Sequence, residues 1–145
     1  MEQSKEYKRS YLISSLRVLS LFSSYVKREL RGKGITFGDW ICILCIGDKE
    51  GCSIKNICYD LCLDKGQATR QVKKLIQTSF IKNKSDARTY SLYLTDKGLM
   101  AYAYCDLLFN KVMDIIFEDI NEEEIDTTMA VSRRLSQKLE KYYEY

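Results

Sequence analysis

The chain has 145 residues, enough for one domain with a sizeable core, and 46% of them are apolar. An apolar share of this size beside 30% charged residues excludes a disordered polyelectrolyte. The net charge is only +3, so a polyanionic partner would have to be met by a local concentration of base.

Composition also limits the chemistry. There is no His, which excludes a His-ligated metal and a Ser-His or Cys-His catalytic pair. No acid pair, nucleophile–base pair or phosphate loop stands out, so the expectation is a protein that is not an enzyme and carries no cofactor. There is no Pro, which leaves long helices free to run unbroken. The charged N-terminus carries no targeting pattern, and the longest apolar run, 40–46, is far below the roughly 18–20 residues that span a bilayer. A cytoplasmic protein is expected.

In chain order, helical periodicity covers about 6–31, with Leu12, Leu16, Leu19, Val26 and Leu30 recurring and Ile13 and Phe22 beside them. Lys33-Gly34 closes this helix. Thr36 with Asp39 forms a capping box and Ile35 a staple for a second, strongly apolar helix over 37–46. Gly47 ends it, 48–51 is a turn, and Cys52 supplies a very short strand. Ser53 caps a third helix over 54–62, with Ile57, Leu61 and either Cys58 or Cys62 facing inward. Asp64 caps a fourth, whose inner face is Val72, Leu75 and Ile76. Two short helices joined by a tight turn make a helix-turn-helix.

A hairpin follows, with strands over 80–84 and 89–94 and the tip Ser85-Asp-Ala-Arg88. Thr95 caps a long helix to about 117, with Leu99, Ala103, Leu107 and Met113 among its apolar positions. Asn121 with Glu124 is a further capping box, opening a last helix to about 143. The fold class expected is mainly α with a small β-hairpin wing (α+β), a winged helix-turn-helix flanked by long dimerisation helices. Within a single domain over 1–145, the lobe occupies 36–94, a connecting helix 95–117, and the dimerisation helices 1–34 and 118–145.

Charge is distributed unevenly along this order. Between 64 and 88 there are seven Lys or Arg and two Asp, a local balance of +5, whereas 118–126 holds six acids and no base. A basic helix beside a basic hairpin can read two grooves of duplex DNA at once. Arg70 is the candidate for bidentate contact with a guanine edge, and Gln67, Thr69 and Gln71 can read bases or hold phosphate. Lys65, Lys73 and Lys74 suit phosphate contacts, which position without specifying. Arg88 is the candidate minor-groove finger, Asp86 its orienter or a tie for the wing backbone, and Lys82 and Lys84 flank the DNA backbone. Ser53, Lys55 and Asn56, at a helix start, can meet a further phosphate.

The end helices need a partner surface. Tyr7, Tyr11, Leu12, Leu16 and Leu19 near one end can meet Ile125, Met129, Leu135, Leu139 and Tyr142 near the other. A two-fold homodimer is the economical way to cover them, and it places two recognition helices on one DNA face about 34 Å apart.

Asp64-Lys-Gly-Gln-Ala-Thr-Arg-Gln-Val-Lys-Lys-Leu75 resembles the recognition-helix motif of the MarR family of winged helix-turn-helix transcriptional regulators. Asp86-Ala-Arg88 resembles the family's wing Asp-x-Arg, and Leu94-Thr-Asp-Lys-Gly98 the phrase that closes its wing. The resemblance extends over roughly 7–143, because element order and lengths also fit. It implies a homodimer on palindromic promoter DNA, often acting as a repressor, with an effector pocket often used by phenolic or other aromatic anions. The sequence departs from the pattern at Ser79, where a Gly commonly closes the recognition helix, and at Ala68, often Val. The thiol-sensing branch carries a reactive Cys in the first helix, whereas here none precedes Cys42.

Two features admit more than one reading. Cys42 and Cys45 form a C-x-x-C and Cys58 and Cys62 lie one turn apart; these are core fillers or, alternatively, a thiol-responsive or soft-metal site. The eleven Tyr either line an aromatic effector pocket, with Tyr11, Ser14, Arg17 and Trp40 as its edge, or are surface and interface residues. For the chain as a whole the alternative to a DNA-binding regulator is a winged helix used for protein assembly.

Overall fold

The computed structural model describes residues 1–86 and 88–143; Ala87, Glu144 and Tyr145 lie outside them. Among the described residues there are six helices and one hairpin: α1 Glu2–Glu29, α2 Phe37–Asp48, α3 Ile54–Leu61, α4 Lys65–Gln77, β1 Ile81–Asn83, β2 Leu92–Leu94, α5 Asp96–Ile116 and α6 Glu122–Glu140. The chain forms two compact units, 1–40 and 41–145, with the division falling near the start of α2.

In the first unit α1 is 28 residues long and starts four residues before the sequence expectation. Residues 2–21 are exposed apart from the half-buried Ser15, and they include Leu12, Leu16 and Leu19. The residues that bury are Val26 and Leu30. Phe22, Phe37 and Trp40 form an aromatic cluster, the Phe22 ring 5.9 Å and the Phe37 ring 5.7 Å from the indole. Offset contacts of this kind add about 0.5–1.5 kcal/mol each beyond burial. The capping box at the start of α2 is present: Thr36 N–H donates to Asp39 Oδ2 at 3.0 Å, and Asp39 N–H to Thr36 Oγ1 at 3.1 Å. That pairing is what lets Asp39 lie buried.

The second unit is a winged helix. Gly47 does not end α2, which continues to Asp48. It is instead a contact point, because a Cβ there would collide with the Tyr102 ring. Capping boxes open both α3 and α4: Ser53 pairs with Asn56, and Asp64 with Gln67. Between these helices Cys62 takes the left-handed conformation at φ 52°, and Leu63 N–H returns to Cys58 O at 3.1 Å. So Cys62 points outward as a helix stop while Ile54, Ile57 and Cys58 go inward and Leu61 is half-buried. On α4 the buried residues are Ala68, Val72 and Leu75, a single stripe at i, i+4, i+7. Each large aliphatic side chain so buried contributes roughly 1.5–3 kcal/mol.

The hairpin is antiparallel, from Ile81 opposite Leu94 to Asn83 opposite Leu92. Cys52 adds a single bridge to Leu92, the very short strand that the sequence suggested. The strands are three residues each, shorter than expected, and the tip beyond them is held by side chains. Thr95 caps α5 by accepting Gly98 N–H at 3.0 Å. The face of α5 that buries is Gly98, Ala101, Cys105, Leu108 and Val112, whereas Leu99 and Leu107 are exposed. The Asn121–Glu124 capping box opens α6, which ends at Glu140 and has no buried residue among those described.

Candidate nucleic-acid interface

Three elements of the second unit converge on one groove. It encloses about 820 Å³. The start of α3 contributes Ser53 and Lys55, α4 contributes Lys65, Thr69 and Lys73, and the wing contributes Arg88. Ile54 and Cys58 form an apolar floor, and Thr89 and Tyr90 close the wing side. Four cationic side chains line the groove and, among the described residues, no carboxylate does. A low-dielectric concave wall lined by one sign of charge concentrates a polyanion.

The geometry of α4 divides its polar residues in two. Lys65, Thr69 and Lys73, spaced by four, make the wall of the groove. With about 100° per residue, Arg70 falls opposite the buried Ala68, Val72 and Leu75 and projects straight out. Its side chain leans back along the helix, so that a Cβ at Gly66 would stand 3.3 Å from Arg70 Nη1. The guanidinium therefore sits over the first turn of α4, the part of a recognition helix that meets base edges. Lys74 is exposed, and Gln71 is half-buried.

Some candidate residues have work inside the fold. Gln67 Oε1 accepts Asp64 N–H at 3.2 Å, the return half of a capping box, which leaves its amide NH2 as the group able to reach a base. Ser53 and Asn56 are likewise engaged with each other: Asn56 N–H donates to Ser53 Oγ at 3.2 Å and Ser53 N–H to Asn56 Oδ1 at 2.9 Å. Both nonetheless stand at the α3 N-terminus, where the amide dipoles favour an anion.

On the wing, Lys82 is exposed. Lys84 Nζ lies 4.0 Å from the centre of the Tyr93 ring, a contact that restrains a long side chain. Asp86 ties down the tip. Its Oδ1 accepts Arg88 N–H at 2.8 Å, Thr89 N–H at 3.1 Å and the Thr89 hydroxyl at 3.2 Å. The Arg88 amide, then the Thr89 amide, hold its carboxyl below the usual carboxylate range. Asn83, Thr89 and Tyr90 were not singled out by sequence. Nothing in local pattern marks them, although an Asn at the end of a strand is a turn former that could have drawn notice.

The cysteines are all free thiols. Burial, then Asp60 and Asp48, push Cys45 up to about 11, and burial pushes Cys52 and Cys58 up as well. These are protonated, poorly nucleophilic groups at neutral pH. Among the described residues no group of three or more acids or thiols is placed to hold a metal. Among the described residues, no helix is long and apolar enough to cross a membrane.

The other candidate sets lie elsewhere. Tyr7, Tyr11, Leu12, Leu16 and Leu19 on α1 are exposed, as are Met129, Leu135 and Leu139 on α6 and Tyr142 beyond it, while Ile125 is half-buried. Tyr11, Ser14 and Arg17 are exposed on α1, whereas Trp40 is fully buried beside Phe22. Phe22 is eleven residues past Tyr11 on one continuous helix, a rise of about 16 Å. The four candidate effector residues are thus not adjacent within this unit.

No family model matches the chain. It is 32% identical over 117 residues to the HTH-type transcriptional regulator BilQ of Clostridium symbiosum, a match covering 79% of this chain and 81% of that protein. Among solved structures it is similar to a MarR/EmrR family transcriptional regulator from Acinetobacter sp. ADP1, with TM-score 0.78, 25% identity and 94% and 97% of the two chains covered. A Listeria monocytogenes protein, described as a putative MarR family transcriptional regulator complexed with 26mer DNA, shares the fold. Its TM-score is 0.77 at 18% identity, over 88% of this chain and 87% of that one.

Proposed function

The chain belongs to the MarR family of winged helix-turn-helix transcriptional regulators, and on that footing we propose that it acts as a homodimer on a palindromic promoter site and represses transcription from it. It is a DNA-binding regulator and not an enzyme. The observation that carries the reading is the groove shared by α3, α4 and the wing, with four cations and no acid on its walls. A winged helix used for protein assembly has no need of such a surface beside an outward-facing Arg70.

Self-association is supported by the apolar residues that a single chain leaves in water on α1 and α6. A two-fold dimer would present two α4 helices to one face of a duplex, roughly one helical turn apart. The test is selection of duplexes from a randomised pool by the intact protein, followed by footprinting. Enrichment of an inverted repeat with half-sites about 10 base pairs apart is expected. Failure to enrich any duplex, or protection of a lone half-site, would refute it.

An aromatic effector forms a separate part of the proposal, with Tyr11, Ser14 and Arg17 as its candidate residues. A ligand acts only if it binds one arrangement of the DNA-reading lobes better than another. Titration of the protein–duplex complex with phenolic carboxylates tests it. Release that an Arg17→Ala change abolishes supports the assignment, and absence of release removes it.

A further inference from the structure

We propose that Asn83 is the residue that positions Arg88 for DNA, by joining the two arms of the wing where the β-ladder stops. The inference rests on the reading of the groove as a DNA interface.

The ladder ends at the pair Asn83–Leu92, and beyond it Lys84 N–H donates to Ser91 O at 2.9 Å. Past that point Asn83 acts in place of further rungs. Its Oδ1 accepts Ser85 N–H at 3.0 Å on its own arm and Ser91 N–H at 2.8 Å on the opposite arm. Its Nδ2 donates to the carbonyl oxygen of Asp86 at 3.1 Å. Asp86 in turn holds the backbone N–H of Arg88 at 2.8 Å. Two links therefore run from the end of β1 to the residue that bears the guanidinium. The hydroxyls of Ser85 and Thr89, 2.6 Å apart, close the tip between them.

This position has narrow chemical requirements. It needs an acceptor with two lone pairs and a donor on one short side chain, and it must be neutral beside a phosphate backbone. Asp lacks the donor and adds a negative charge, Ser does not reach both arms, and Gln adds a rotatable bond. An exposed Arg on an unfixed tip would lose its freedom on entering a groove, and fixing it beforehand removes that cost.

The experiment is a double-mutant cycle on a duplex selected by the parent protein from a randomised pool. Binding is measured by fluorescence anisotropy for the parent, Asn83→Ala, Arg88→Ala and the double variant. Asn83→Ala is expected to weaken binding about 2- to 10-fold, the range for freeing one ordered group. In the Arg88→Ala background the same change is expected to have no further effect, and both single variants should lose preference at the same flanking base pairs. A merely structural role would weaken binding by the same factor in both backgrounds, and that result would overturn the proposal, as would an Asn83→Ala variant that binds like the parent. Asn83→Ser, also unable to span the arms, takes the place of the alanine variant should that fail to fold. A parent that enriches no duplex refutes the DNA reading itself, which separates that failure from an additive cycle.

Discussion

The α-carbon of Gly98, in the first turn of α5, packs directly against the carbonyl oxygen of Phe80, which precedes β1; a Cβ at residue 98 would overlap it. The same carbonyl accepts Thr95 N–H at 3.1 Å, and Lys97 Nζ reaches over the Phe80 ring to donate to Thr78 O at 2.8 Å. The phrase Leu94-Thr-Asp-Lys-Gly98 is thus a joint that fixes the hairpin to the long helix. Gly98→Ala is expected to destabilise the protein by about 1–3 kcal/mol, as overpacking does, despite the better helix propensity of Ala. Chemical denaturation measures it, and an unchanged midpoint would refute the joint.

Ser79 gives the opposite sign. It closes α4 at φ 64°, in the left-handed region, and Phe80 N–H returns to Leu75 O at 3.0 Å. A side chain there costs about 1–2 kcal/mol, against which Gly gives up about 0.5–1 kcal/mol of chain entropy. Ser79→Gly should therefore raise stability by about 0.5–1 kcal/mol. A lower denaturation midpoint would show that the serine contributes something beyond its backbone.

Arg70 and Lys73 should separate in their effects on DNA. Arg70→Ala is expected to cost about 1–3 kcal/mol on a selected duplex and relax preference at one or two base pairs. Lys73→Ala should weaken all sequences alike and reduce the slope of log K against log salt by about 0.9. Salt-dependent anisotropy titrations distinguish them, and equal loss on selected and random duplexes for Arg70→Ala would remove its base-reading role.

Self-association is tested on the exposed faces of α1 and α6. The parent is expected to sediment as a dimer of the 17.0 kDa chain at low micromolar concentration. Leu16→Glu or Leu139→Glu should shift it toward monomer, because a buried unpaired charge is costly. A parent that sediments as a monomer excludes the dimer.

Alkaline pH should loosen the second unit through Tyr102. Its hydroxyl donates to Asp48 Oδ1 at 2.5 Å, and that hydrogen bond, then burial, push its pKa from 10 up to about 12. A group whose folded pKa is raised contributes stability that is fully present below the unfolded value and is lost as pH rises through the folded one. The loss should fall between pH 10 and about 12 and be reduced in Tyr102→Phe. Denaturation midpoints of the two proteins across that range check it; parallel curves would refute the assignment.

Much of the architecture was legible in the sequence because it is written in local chemistry. The boxes at Thr36–Asp39 and Asn121–Glu124, the caps Ser53, Asp64 and Thr95, and the stripe of Val72 and Leu75 depend on residues within one or two turns. The concentration of base over 64–88 is likewise a property of the chain alone, and it led to the groove.

What the sequence could not decide is which of two apolar faces a helix buries, and what holds a tip that has no ladder. On α5 the period places Leu99, Ala103 and Leu107 on one stripe and Ala101, Cys105, Leu108 and Val112 on another, both compatible with a core. The second is buried because Gly98 must approach Phe80, and that contact sets the rotation of the whole helix. In the wing, strands that read as five or six residues are three, and beyond them the Asn83 and Asp86 side chains take up the amides of Ser85, Arg88, Thr89 and Ser91. The sequence by itself determined where helices start and where positive charge collects, since both follow from neighbours in the chain. The facing of α5 and the joining of the two wing arms through Asn83 and Ser91 were decided by the tertiary structure, since each depends on groups brought together only when the chain folds.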